Sequence, residues 1–94
     1  MTEREIQKKA VDHLRQAGFT VIVTSNRKKT ANTKGAADIF VNIYRSVWIA
    51  LDTKTPTGKL SEEQQKLVDE GKVYIFTEPY EALDICITAR KAVL

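Results

Sequence analysis

Asp38 and, further along, Asp52-Thr53-Lys54 are the residues whose types and spacing offer chemistry. An Asp-x-Lys triplet is a weak signal alone, because 12 acidic residues in a lysine-rich chain produce one by chance, and Glu70-Gly71-Lys72 is a second acid-x-Lys. The element each occupies separates them. Glu70 and Lys72 straddle a glycine that reads as a helix stop, so no shared geometry is imposed on their side chains. Asp52 and Lys54 end the apolar run Val47-Trp48-Ile49-Ala50-Leu51, and the period-two alternation of a strand places both on one face. Asp38 heads the neighbouring run Ile39-Phe40-Val41-Asn42-Ile43-Tyr44 and can set a second carboxylate against the first. Two hard oxygen ligands on rigid strands, completed by water and phosphate oxygens, match the octahedral demand of Mg2+. An ammonium beside them orients or deprotonates an attacking water, or stabilises charge on a phosphate. The plain alternative is a surface salt bridge between Asp52 and Lys54, with Asp38 a turn residue after Gly35-Ala36-Ala37.

Two further side chains are candidates. At 100° per residue, Glu3, Gln7, Ala10 and Leu14 fall within about 60° of one another, so Glu3 is expected on the core side of its helix. A carboxylate aimed inward costs desolvation unless paired or near a metal, which makes Glu3 a candidate third acid; the alternative is that it frays into water. Gln64 falls on the side of Leu67 and Val68 while Gln65 turns away. With Ser61 it has the spacing of a capping box, a sufficient structural role, yet an inward Gln just beyond Lys54 is also placed to hold a phosphate or a water.

The elements that must position these residues follow from periodicity. Ile6, Ala10, Leu14 and Ala17 form a helical stripe from Glu3 to Ala17, stopped by Gly18. Phe19–Thr24 is a β-branched first strand, followed by a polar loop over Ser25–Lys34. Asp38 opens a second strand running to Tyr44, and a third covers Val47–Lys54; the short turn near Arg45-Ser46 implies an antiparallel hairpin. Thr55-Pro56-Thr57-Gly58 ends the third strand. A second helix runs from Ser61 to about Glu70, a fourth strand covers Lys72–Thr77, and Pro79 opens a final helix. The expected fold is a single α/β domain over residues 1–94, order α-β-β-β-α-β-α, without repeats or linkers.

Composition narrows the class. A chain of 94 residues that is 43% hydrophobic and 29% charged has the makings of one folded core, not a disordered segment. No apolar run approaches the roughly 20 residues of a bilayer span, and the charged N-terminus is unlike a signal peptide, so a cytoplasmic location is expected, with no membrane partner. A lone Cys86 forms no internal disulfide, fits a reducing compartment, and reads as a small buried apolar residue. Net charge is +3, and Arg27, Lys28, Lys29 and Lys34 lie together in the loop with no acid among them. The loop is either a solvated surface or a set of phosphate contacts, and as the latter it is a candidate DNA-binding element.

The motifs resemble the virus-type replication-repair nuclease domain, the VRR-NUC branch of the PD-(D/E)XK nucleases. The resemblance spans most of the chain: Glu3-x-x-Ile6-Gln7, then Lys34-Gly35-Ala36-Ala37-Asp38-Ile39, then Asp52-Thr53-Lys54-Thr55-Pro56-Thr57-Gly58-Lys59-Leu60-Ser61-Glu62-Glu63-Gln64. It implies a restriction-endonuclease-like core, a mixed four-stranded sheet flanked by helices, and Mg2+- or Mn2+-dependent phosphodiester hydrolysis in branched DNA, with no small-molecule cofactor. By position it implies Asp38 and Asp52 as metal ligands assisted by the Thr53 carbonyl, Lys54 as catalytic lysine, and Glu3 and Gln64 in support. The chain departs from the family at position 52, where Glu is commoner than Asp. Small stand-alone members of the branch resemble Holliday-junction resolvases acting as homodimers. A final helix whose Leu83, Ile85, Cys86, Ile87, Ala89 and Val93 spread over about 200° is wide enough for a second subunit to cover part of it. The competing expectations are a non-catalytic DNA-binding module that keeps the fold, for which Asp52 is the best argument, and an accessory subunit of a replication or repair complex.

Overall fold

The computed structural model describes residues 1–24 and 37–94. Its elements follow the expected order: α1 (Glu3–Gln16), β1 (Thr20–Val23), β2 (Ile39–Tyr44), β3 (Val47–Thr53), α2 (Glu62–Asp69), β4 (Tyr74–Phe76) and α3 (Pro79–Val93). Thr2 and Glu5 form a capping box at the head of α1, each satisfying a backbone N–H of the other. Helices α1 and α2 end alike. Phe19 N–H donates to Leu14 O and Lys72 N–H to Leu67 O, each at a glycine of positive φ, Gly18 at 92° and Gly71 at 72°. This second closure shortens β4 relative to the expected Lys72–Thr77, because the N–H of Lys72 is spent on the helix end.

The sheet order is β1-β2-β3-β4, antiparallel except for the parallel β3–β4 pair. The β2–β3 hairpin turns at Arg45, whose φ of 50° is stabilised by the Asn42 amide donating to Arg45 O at 2.6 Å and Val47 O at 3.2 Å. Register sets the faces. Val21, Val41 and Ile49 are partners, as are Ile39 and Leu51, and with Thr53 and Phe76 they form the inner face. Ile22, Phe40 and Ala50, with Asn42 and Trp48 beside them, form the outer face.

Helices α1 and α3 bury the inner face, through Ile6, Ala10, Val11 and Leu14 from one and Ala82 and Cys86 from the other. They also meet each other, with the His13 and Tyr80 rings stacked at 4.2 Å. Arg90 lies over the Phe19 ring at 4.2 Å and donates to Ile43 O at 2.8 Å, fastening α3 to the sheet. Helix α2 contributes no fully buried residue; its Gln64, Leu67 and Val68 are half-buried. Truncating Leu14 or Leu51, both fully buried, to Ala would cost about 2–5 kcal/mol in such a core. Among the described residues no helix is long and apolar enough to cross a membrane.

Candidate active site

Asp38 sits where the β1–β2 ladder ends. Thr24 N–H donates to Asp38 O at 2.7 Å, and the Thr24 hydroxyl donates to Ala37 O at 2.6 Å, so β1 clamps the backbone on both sides of Cα. Extending the Ile39–Leu51 pairing by one step sets Asp38 opposite Asp52. In place of a further ladder bond, Asp38 Oδ2 accepts the Thr53 N–H at 3.0 Å. The side chain therefore ties the end of β2 to the end of β3.

Asp52 is 2% exposed, lower even than Asp38 at 6%. Its Oδ2 accepts from Gln64 Nε2 at 2.7 Å, and Lys54 Nζ lies 3.8 Å away. Strand alternation brings the ammonium to the carboxylate's side, as the Asp-x-Lys spacing predicts. The ion pair is not on the surface, for the side chains are only 3% and 17% exposed. Two buried carboxylates side by side repel one another and lose hydration; a backbone N–H, an amide and an ammonium aimed at them offset that cost.

Gln64 makes the expected cap and a further contact, with Asp52. Its Oε1 accepts the Ser61 N–H at 3.0 Å while the Ser61 hydroxyl accepts the Gln64 N–H at 3.2 Å, closing the capping box of α2. The other end of the same amide binds Asp52. The cap thus orients the amide so that its donor faces the carboxylate. Between β3 and α2, Gly58 N–H donates to Thr55 O at 2.9 Å, the turn that folds the chain back from Lys54.

Thr53 is fully buried on the inner face, and its hydroxyl lies 3.5 Å from Gln7 Oε1, a contact at the limit of hydrogen bonding. Lys54 N–H pairs toward β4, with Phe76 O at 3.0 Å, and Thr53 N–H toward Asp38. The N–H and C=O of one strand residue point to the same neighbour, so the Thr53 carbonyl is directed to the Asp38 side. Two carboxylates and a carbonyl form a hard-oxygen donor set that fits Mg2+ or Mn2+, and Mg2+ commonly takes only one or two carboxylates and keeps its waters. Among the described residues no group of three or more His, Cys, Asp or Glu side chains is placed to hold a metal ion.

Several expectations need correction. Glu3 is exposed, not inward. Burial in α1 begins only at Ile6, because the first turn precedes the stretch of helix packed on the sheet, so helical phase alone overstates the burial of a terminal residue. The α1 side chain that reaches the site is Gln7, one turn on and on the same stripe; its helical phase was the signal that could have found it. Glu70 and Lys72 do meet, at 2.7 Å, across the helix end, but in an exposed pair. Hydrogen bonding and attraction by Lys72 hold the Glu70 carboxyl below its ordinary range. Cys86 is buried as expected, and burial pushes its thiol up to about 12. Arg27, Lys28, Lys29 and Lys34 lie outside the described residues. Compared with known protein families, curated proteins and solved structures, the chain matches none significantly.

Proposed function

We propose that the protein is a metal-dependent DNA endonuclease with a PD-(D/E)XK-type centre formed by Asp38, Asp52 and Lys54. The observation that carries the reading is two carboxylates buried opposite one another at the ends of β2 and β3, with the Lys54 ammonium 3.8 Å from Asp52. A fold has little reason to bury such a pair for stability alone, since replacing buried charges by apolar groups is often neutral or stabilising.

Asp38 and Asp52, with the Thr53 carbonyl, would hold Mg2+ or Mn2+, and the chemistry that the ion supplies when bound is activation of water and neutralisation of phosphoryl charge. The chain's own groups do the rest. Lys54 orients the attacking water or stabilises the developing charge on the phosphate. Gln64 holds Asp52 in one rotamer, and Thr53 N–H does the same for Asp38. The reading extends to branched DNA, cut by a homodimer of the Holliday-junction-resolvase kind. Ile87 at 38% and Val93 at 40% exposure on α3 favour that extension, as apolar surface a second subunit would cover.

The test is cleavage of linear duplex and four-way-junction DNA with Mg2+, with Mn2+ and with a chelator, by the wild-type chain and Asp52→Asn. Metal-dependent nicking lost in the variant supports the reading. Binding without cleavage under every condition would instead favour the non-catalytic DNA-binding module.

A further inference from the structure

Helix α1 carries Arg4, Lys8, Asp12 and Arg15 within about 80° of one another at 100° per residue. Together with Gln7, Val11 and Val23 they line an open groove of about 320 Å³ between α1 and the edge strand β1. Three cations face one acid there, and the apolar floor is supplied by Val11 and Val23. The groove lies on the helix-covered side of the sheet, by the end of β2 whose other side carries Asp38, in phase with Phe40. Val23 pairs with Ile39, the residue after Asp38, and Gln7 lies in both the groove and the contact with Thr53. From Arg4 to Arg15 the helix rises about 16 Å, the length of about five phosphates along one strand of duplex DNA. Arg15 uses one donor on Val21 O at 3.2 Å, which anchors its guanidinium at the groove wall; four of its five N–H donors remain for other acceptors.

We propose that this groove seats the phosphate backbone of duplex DNA, with Arg4, Lys8 and Arg15 as the backbone contacts. The proposal deepens the nuclease reading and rests on it for the class of substrate. The occupant follows from charge complementarity: a row of cations along one helix face matches a regularly spaced polyanion, and such contacts position a duplex without reading its sequence.

The experiment is equilibrium binding of a short fluorescent duplex in a chelator, so that no cleavage intervenes, across a series of salt concentrations. The double variant Arg4→Gln/Lys8→Gln should lower the slope of log K against log salt by about 1.8, at about 0.9 per lost contact. Arg4→Lys/Lys8→Arg should keep the wild-type slope. Lys9→Gln on the far side of α1 and Lys91→Gln on α3 should leave it unchanged. Arg15 is left intact because it also braces Val21. An unaltered slope in the double variant, an equal loss in the controls, or no salt-dependent binding by the wild type overturns the proposal. Cleavage with Mg2+ is read separately. A chain that cuts with an unaltered slope removes the groove and keeps the nuclease, whereas one that binds with the expected slope and never cuts does the reverse.

Discussion

Charge alone says that removing Asp38 or Asp52 relieves repulsion between two carboxylates, so that stability without metal should hold or rise. The hydrogen bonds change that expectation for alanine. Asp38→Ala leaves the Thr53 N–H without its acceptor, at a cost of about 1–3 kcal/mol for a buried donor. Asp38→Asn keeps an oxygen for it, so the Asn variant should melt at or above the wild-type temperature in a chelator while the Ala variant melts below it. Both should lose metal-dependent cleavage, as should Asp52→Asn; near wild-type cutting by any of them would show that the metal site lies elsewhere. Asp52→Glu lengthens the acid by one methylene. The ligand atoms are of the same kind, but the longer side chain enters a site where Gln64 already lies 2.7 Å from the carboxylate. Activity should persist with altered metal preference, and a folded but inert variant would mean the centre is shaped to the shorter acid.

At the scale of elements, α2 has no fully buried residue and only Gln64, Leu67 and Val68 half-buried. It is positioned by its cap and by Gln64, so helix and site share one side chain. Gln64→Glu separates the two functions. A carboxylate still accepts the Ser61 N–H, so the cap survives, but it cannot donate to Asp52 and adds a third negative charge there. Helix content should be retained while cleavage falls about 10–100-fold, the range for groups that orient a metal ligand. Parallel loss of far-UV helix signal would mean that Gln64 acts only as a cap. Ser61→Ala is the complement: it should weaken α2 by about 1 kcal/mol and reduce cleavage only as far as the helix frays.

At the scale of the molecule, the core and the outer surface make different predictions. Burial raises Cys86 from its ordinary 9.0 to about 12, against a weaker opposing pull from Arg90. A group raised on folding contributes its full stabilisation below its unfolded value, and that contribution is lost as pH climbs through the folded one. Stability should therefore decline between pH 9 and about 12, and Cys86→Ala should flatten that part of the profile. A denaturation midpoint with the same pH profile in both proteins would show that other groups cause the decline. The surface prediction is a two-fold dimer, since paired nicks in a junction require two centres at fixed spacing. Light scattering at micromolar concentration should give a dimer, which cuts four-way junctions in preference to linear duplex. A monomer indifferent to substrate shape would end the resolvase reading and leave the endonuclease standing.

What the sequence determined by itself was whatever depends on local chemistry. Periodicity and stop residues located the seven elements of the described residues, because Gly18, Pro56, Gly71 and Pro79 act on their own stretch of backbone. The same-face placement of Asp52 and Lys54 needed only strand alternation, and the alignment of Asp38 with Asp52 only a tight hairpin. Tertiary structure decided how deep each residue lies and what it meets. Burial of Glu3 depended on where α1 first touches the sheet, and that contact begins at Ile6. The start of β4 depended on a hydrogen bond between Lys72 and Leu67 that closes the preceding helix. The double use of Gln64 needed α2 brought beside β3, across a turn whose sequence announces a bend but not its direction. Such facts are long-range because they are set by which surfaces the packed helices leave uncovered, and no window of sequence contains them.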